Sequence, residues 1–137
     1  MNNNQNISSK VVNTLAKLGC KNACISPGAR NSFIALNLGK KINSYNLLDE
    51  RAAGYMALGI AKYTNSPVII NCTSGTALAN LFPSIIEARM SEIPMIILTA
   101  DRPKEMINIG ENQTIYQKEI FGKYVLDYQA IDATTLD

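Results

Sequence analysis

Four short stretches of this chain combine the residue types that bind and transform small molecules. They are Ser26-Pro27-Gly28-Ala29-Arg30-Asn31, Asp49-Glu50-Arg51, Thr73-Ser74-Gly75-Thr76 and Thr99-Ala100-Asp101-Arg102-Pro103, and each follows an apolar run. Arginines such as Arg30 and Arg102 offer planar forks of N–H donors that match a carboxylate. A carboxyl group such as that of Glu50 can hold or exchange a proton with a bound base. Each stretch also has a plainer reading. Gly28 and Gly75 would serve a tight turn equally well. Asp49 and Glu50 suit a helix N-terminus, where carboxylates complement the dipole. Arg102 would pair with Asp101 or another surface acid. It is the combination at four comparable points that indicates a small-molecule site. No Gly-x-Gly-x-x-Gly or Gly-x-x-x-x-Gly-Lys loop is present, so the dinucleotide and nucleoside-triphosphate fingerprints are missing.

The elements around these stretches alternate between helix and strand. Ser8 or Ser9 is placed to cap a first helix, with Val11, Leu15 and Leu18 on one face and Gly19 as its stop. Ala23-Cys24-Ile25 is a short strand ending in a Pro-Gly loop. A second helix is expected from Asn31 or Ser32 to Gly39, and a brief strand from Tyr45 to Leu48. Asp49 opens a third helix reaching Tyr63, whose alanines with Met56, Leu58 and Ile60 predict packing on more than one side. Asn65-Ser66-Pro67 breaks it. Val68-Ile69-Ile70-Asn71-Cys72 is continuous and β-branched, the pattern of a strand covered on both faces. A fourth helix is expected from Ser74-Gly75-Thr76 to Arg89, then a buried strand from Ile93 to Leu98. Beyond Pro103 the pattern weakens to a short helix near Gln113–Ile120 and an extended piece near Tyr124–Ile131. Strands separated by such helices predict an α/β fold, a parallel sheet flanked by helices in a single domain. In such sheets ligands bind at the carboxyl ends of the strands, where the four stretches lie.

Composition excludes several classes. The 137 residues carry 13 basic and 11 acidic side chains, a net charge of +2 that is too balanced and scattered for a nucleic-acid partner. With 47% hydrophobic and 18% charged residues the chain is an ordinary globular one. Cys20, Cys24 and Cys72 are odd in number and histidine is absent, so buried, reduced thiols are expected rather than a disulfide framework or a metal site. The polar start has neither the basic flank nor the apolar core of a signal peptide, and no apolar run approaches the roughly 18 residues of a membrane span. A cytoplasmic protein is expected, with residues 1–7 as a flexible tail and 8–137 as the folded domain.

The same stretches resemble a known family. Ile25-Ser26-Pro27-Gly28-Ala29-Arg30-Asn31 resembles a Ser-Pro-Gly-Ser-Arg loop, and Leu48-Asp49-Glu50-Arg51-Ala52-Ala53-Gly54 resembles an Asp-Glu-Arg helix start. Cys72-Thr73-Ser74-Gly75-Thr76-Ala77 with Ala79-Asn80 and Pro83 is similar to a third signature. Leu98-Thr99-Ala100-Asp101-Arg102-Pro103 and Gly110-Glu111-Asn112-Gln113-Thr114-Ile115 complete the set. The family is 2-succinyl-5-enolpyruvyl-6-hydroxy-3-cyclohexene-1-carboxylate synthase, a thiamine-diphosphate transferase of menaquinone biosynthesis. The likeness spans Ile25 to Phe121. It identifies the chain with the family's domain for the pyrimidine end of the cofactor.

The resemblance implies that Glu50 hydrogen-bonds the N1′ nitrogen of the cofactor aminopyrimidine. The 4′ nitrogen then takes the thiazolium C2 proton, so that 2-oxoglutarate loses carbon dioxide and its succinyl carbanion adds to isochorismate. It places Ser74, Gly75 and Thr76 beside the pyrimidine, and Ala29, Arg30, Arg102, Asn112 and Gln113 against the substrates. Ala29 stands where the family usually carries serine, which removes a hydroxyl donor from the substrate loop. In the family, Mg2+ and the diphosphate are held by a later domain with a Gly-Asp-Gly motif, and two subunits form the site. That motif is absent here. One inactive domain of a longer protein, working as a homodimer or other homo-oligomer, is therefore expected. The alternatives are another thiamine-diphosphate enzyme, such as an acetolactate synthase or 2-oxoacid decarboxylase, and a non-catalytic module that binds a small anion or mediates association. The apolar third and fourth helices suit an interface, whether with another subunit or another domain.

Overall fold

The computed structural model describes residues 3–107 and 109–132. Four strands form one sheet: β1 Asn22–Ile25, β2 Asn43–Asn46, β3 Val68–Cys72 and β4 Met95–Thr99. All pairs are parallel and the order is β2-β1-β3-β4. The helices are α1 Asn3–Lys17, α2 Ser32–Lys41, α3 Glu50–Thr64, α4 Thr76–Ala79 and α5 Phe82–Met90. This is the α/β arrangement that the alternating pattern predicts.

Every residue of β3 is buried, and Val68, Ile69 and Ile70 have no exposed surface. Fully burying each of these side chains contributes about 1.5–3 kcal/mol, so the sheet centre carries much of the stabilisation of the fold. Alternation along the strands divides the core. Cys24, Val68, Ile70 and Cys72 pack with Ala53, Ala57 and Ala61 of α3 and with Leu78, Leu81 and Ile85. Ala23, Ile25 and Ile69 face the other way, onto Val12 of α1 and Leu38 of α2. The alanines of α3 recur every four residues, which puts one small-residue stripe on the sheet. On its other sides Tyr55, Met56 and Tyr63 are exposed.

Several boundaries differ from the pattern reading. The first helix begins at Asn3, so residues 3–7 of the expected tail are helical. The Ser8 hydroxyl donates to the Asn4 carbonyl at 2.7 Å, the back-bond of a residue inside a helix, so Ser8 is not its cap. The inward face centres on Val12, whereas Leu18 is 76% exposed. The single helix expected from Ser74 to Arg89 is two, α4 and α5, because Asn80 and Leu81 interrupt it just before Pro83 at the start of α5. β4 is half-buried along its length, as an edge strand must be. The helix near Gln113–Ile120 is replaced by isolated turns. The piece at Tyr124–Ile131 holds only the end of a one-turn 3-10 helix, Gly122–Tyr124, followed by irregular chain. This stretch lies outside the sheet, so its β-prone residues gain no ladder hydrogen bonds.

Candidate functional site

The chain runs from β1 to β2 on one side, then crosses back to β3 on the other side of β1. The strand order therefore reverses between β1 and β3, and the loops beyond their carboxyl ends part to leave a crevice. A cleft of about 420 Å³ lies there. Its walls are Gly28, Ala29 and Arg30 after β1, Thr73 after β3, Arg102 after β4, and Glu111, Asn112 and Gln113. The five residues assigned to substrate, Ala29, Arg30, Arg102, Asn112 and Gln113, thus share one cavity. Gly28 sits so close to Thr73 that a Cβ on it would lie 2.6 Å from the Thr73 Cβ, which restricts that wall to glycine.

The two arginines differ. Arg30 is exposed, and its guanidinium has one recorded partner, the Met106 sulfur at 3.9 Å. Arg102 is buried. Its Nη1 lies 3.3 Å from the Glu111 carboxylate, its Nη2 donates to the Asn112 carbonyl, and its Nε has no partner. Of the plain reading, a pair with Asp101 or another surface acid, the second half holds: the Asp101 side chain accepts from the Arg102 backbone N–H at 2.7 Å. The acid that pairs with the guanidinium is Glu111. Ala29 presents a methyl group to the cleft, so polar contacts from this loop must come from Arg30 and backbone.

The residues assigned to the cofactor form a second group, outside the walls of the cleft. Asp49 caps α3, its carboxylate accepting from the Ala52 N–H at 2.8 Å. This puts Glu50 in the first turn, where the helix dipole favours a carboxylate. Glu50 is half-buried and accepts from the Asn80 side chain at 3.4 Å. Its charge also reaches Cys72 at the end of β3. Burial, reinforced by Glu50, pushes the Cys72 thiol up to about 12. Ser74 is fully buried and its hydroxyl has no partner. Gly75 adopts φ +85°, ψ −139°, and a Cβ there would strike the Gln113 carbonyl. Thr76 is exposed at the start of α4.

A segment without regular structure joins the two groups. Gln113 and Gln117 hold it on the end of β3. The Gly75 N–H donates to the Gln117 side chain at 2.6 Å, and Gln117 donates onward to the Ala100 carbonyl at 3.0 Å. The Thr76 N–H donates to the Gln113 carbonyl at 3.0 Å, and the Gln113 side chain donates to the Ser74 carbonyl at 2.8 Å. Gln113, assigned to substrate, therefore spends a side-chain N–H and its backbone carbonyl on the protein itself. Beneath the cleft Asn31 donates to the Ser26 carbonyl and the Asn71 side chain, which in turn donates to the Leu98 carbonyl. Composition and spacing single out neither Asn71 nor Gln117, because asparagine and glutamine ordinarily mark exposed chain. An asparagine inside an otherwise apolar strand was the available signal.

Among the described residues, no group of three His, Cys, Asp or Glu side chains is placed to hold a metal ion, and no helix is long and apolar enough to cross a membrane. The three cysteines are free and buried.

Comparison with known proteins agrees with this layout. The model of the family described as thiamine pyrophosphate enzyme, N-terminal TPP binding domain, matches residues 5–123. The chain is 45% identical over 119 residues to 2-succinyl-5-enolpyruvyl-6-hydroxy-3-cyclohexene-1-carboxylate synthase from Listeria innocua, covering 85% of this chain and 20% of that one. It is 46% identical over 118 residues to the synthase of the same name from Lysinibacillus sphaericus, covering 85% of this chain and 21% of that one. The chain thus spans about a fifth of the length of the curated relatives it matches. The fold is similar to benzoylformate decarboxylase from Polynucleobacter necessarius, with a TM-score of 0.74, 21% identity, and coverage of 86% of this chain and 23% of that one.

Proposed function

Because the chain belongs to the family of thiamine pyrophosphate enzyme N-terminal TPP-binding domains, we propose that it binds the pyrimidine end of thiamine diphosphate in a synthase that decarboxylates 2-oxoglutarate and adds the succinyl unit to isochorismate. The observation that carries this reading is the shared cleft of Ala29, Arg30, Arg102, Asn112 and Gln113 at the reversal of strand order. The product named for the relatives is a cyclohexene carboxylate bearing succinyl and enolpyruvyl groups. A product of that kind carries several carboxylates, and two guanidinium groups in one cleft suit substrates of the same charge.

The residues beside the cleft fit the cofactor. Glu50 offers a half-buried carboxyl at a helix start, steadied by Asn80. The Ser74 hydroxyl is buried without a partner and so retains a donor and an acceptor for a polar ring. When bound, thiamine diphosphate supplies the electron sink that lets a 2-oxo acid lose carbon dioxide. Glu50 would hold the proton at a pyrimidine ring nitrogen of the bound cofactor. Arg30, Arg102 and Asn112 orient the substrate carboxylates. We assign Mg2+ and the diphosphate to protein outside this chain, and expect the isolated chain to be inactive. The exposed Tyr55, Met56 and Tyr63 of α3 suit contact with a second subunit.

A chimera tests this. This chain would replace the matching 119 residues of the Listeria innocua synthase. Turnover of 2-oxoglutarate with isochorismate is expected in the presence of thiamine diphosphate and Mg2+. Glu50→Gln is expected to lower kcat about 10²–10⁴-fold, the usual contribution of a positioned acid or base. Equal kcat in the two proteins would remove Glu50 from the chemistry.

A further inference from the structure

One charged contact inside the cleft is made by the protein with itself. Arg102 is buried, with its side chain only 5% exposed, yet it lines the cleft. A buried guanidinium without an anion is costly, so some carboxylate must be near it. In this structure the carboxylate is that of Glu111, at 3.3 Å from Nη1. The Glu111 side chain is 37% exposed and lines the same cavity, so one end of the pair is fixed and the other borders solvent. Arg102 is held further by Nη2, which donates to the Asn112 carbonyl. Glu111 is the more exposed partner of the two. It follows Gly110, which has φ +78° and open space around the position of a Cβ. The Arg102 Nε is buried and has no partner among the described residues, so Glu111 does not saturate the guanidinium.

We propose that Glu111 is a built-in competitor for the carboxylate site of Arg102, setting how tightly the cleft binds carboxylate anions. This inference rests on the reading of the cleft as a carboxylate site. An arriving carboxylate exchanges with Glu111 rather than pairing with a bare cation. The exchange conserves one ion pair at Arg102 and releases the Glu111 side chain to water. It keeps the guanidinium satisfied when the cleft is empty, at the expense of affinity when it fills.

The test is titration of the full chain with 2-oxoglutarate, followed by the NMR signals of the arginine Nε–H groups and by calorimetry. Glu111→Gln keeps the size and an acceptor but removes the competing charge. It is expected to tighten binding about three- to thirty-fold, the range between a screened surface pair and a charge-assisted hydrogen bond. Glu105→Gln removes a charge from an exposed acid of the neighbouring turn that does not line the cleft. It is expected to change affinity less than about two-fold, as surface charges do. No tightening by Glu111→Gln, or equal tightening by Glu105→Gln, would overturn the proposal. Arg102→Ala then separates the two readings. If it weakens binding while Glu111→Gln is silent, the cleft remains a carboxylate site and only the competitor is lost. If 2-oxoglutarate binds none of the proteins, or binds all of them alike, the carboxylate site falls as well.

Discussion

Gly75 shows how much one position can constrain. Its backbone, at φ +85° and ψ −139°, lies where side-chain-bearing residues are strained by about 1–3 kcal/mol. A Cβ would also meet the Gln113 carbonyl, which accepts from the Thr76 N–H. Gly75→Ala is therefore expected to lower unfolding free energy by at least about 1–3 kcal/mol, measured by urea denaturation, and to loosen Gln113 from the end of β3. A stability equal to that of the unaltered protein would mean that the turn readily relaxes. At this scale the strand-end stretches were legible in the sequence because each joins a glycine, an acid or an arginine to an apolar run. The partnership of Arg102 with Glu111 was not. Nine positions and an irregular loop separate them, and no local spacing rule brings such residues together.

At the scale of elements, the segment that carries Glu111 to Gln117 is held by side chains rather than by a helix or strand. Gln117 is its principal clamp: it accepts from the Gly75 N–H and donates to the Ala100 carbonyl, and so ties the ends of β3 and β4 to one another. Replacing it with alanine strands two backbone groups. The expected loss is about 1–3 kcal/mol if they stay buried and unpaired, less if water enters. Hydrogen exchange at the Gly75 amide is the direct measurement, and faster exchange in Gln117→Ala with little change in β3 is expected. Unchanged exchange would show that the amide is protected by another route. Periodicity does not reveal this element, because it reports only on helices and strands that bury a face. The division of the expected fourth helix into α4 and α5 has a similar cause: Pro83 suits a helix start, and apolar residues on both sides of the break hide it.

At the scale of the whole molecule, the buried cysteines report on the core. Cys24 and Cys72 have no exposed surface, and burial raises their thiols to about 11 and about 12 from an ordinary 9.0. In the unfolded chain both would ionise near pH 9. Between about pH 9 and 12 the folded state therefore binds more protons than the unfolded state, and stability falls as pH rises. Below pH 9 the contribution is fully present. Denaturation midpoints measured across this range should decline, and Cys72→Ala should make the decline shallower. An unchanged slope in Cys72→Ala would show that this thiol does not govern alkaline unfolding. A colorimetric thiol reagent should likewise react with Cys24 and Cys72 only after unfolding.

The sequence by itself determined the alternation of strands and helices, the carboxyl-end placement of the chemistry-bearing stretches, and the likeness to a thiamine-diphosphate domain. These follow from local features: side-chain periods of two and 3.6, turn residues, and contiguous signatures. The tertiary structure decided what no local rule contains. The order β2-β1-β3-β4 opens the crevice where it does. It gathers Arg30, Arg102 and Asn112 in one cleft, while Glu50 with Asn80 lies outside the walls of that cleft. It also gives the buried Arg102 an acid of its own. Such pairings depend on which strand ends become neighbours, and that is settled only when the sheet closes its core.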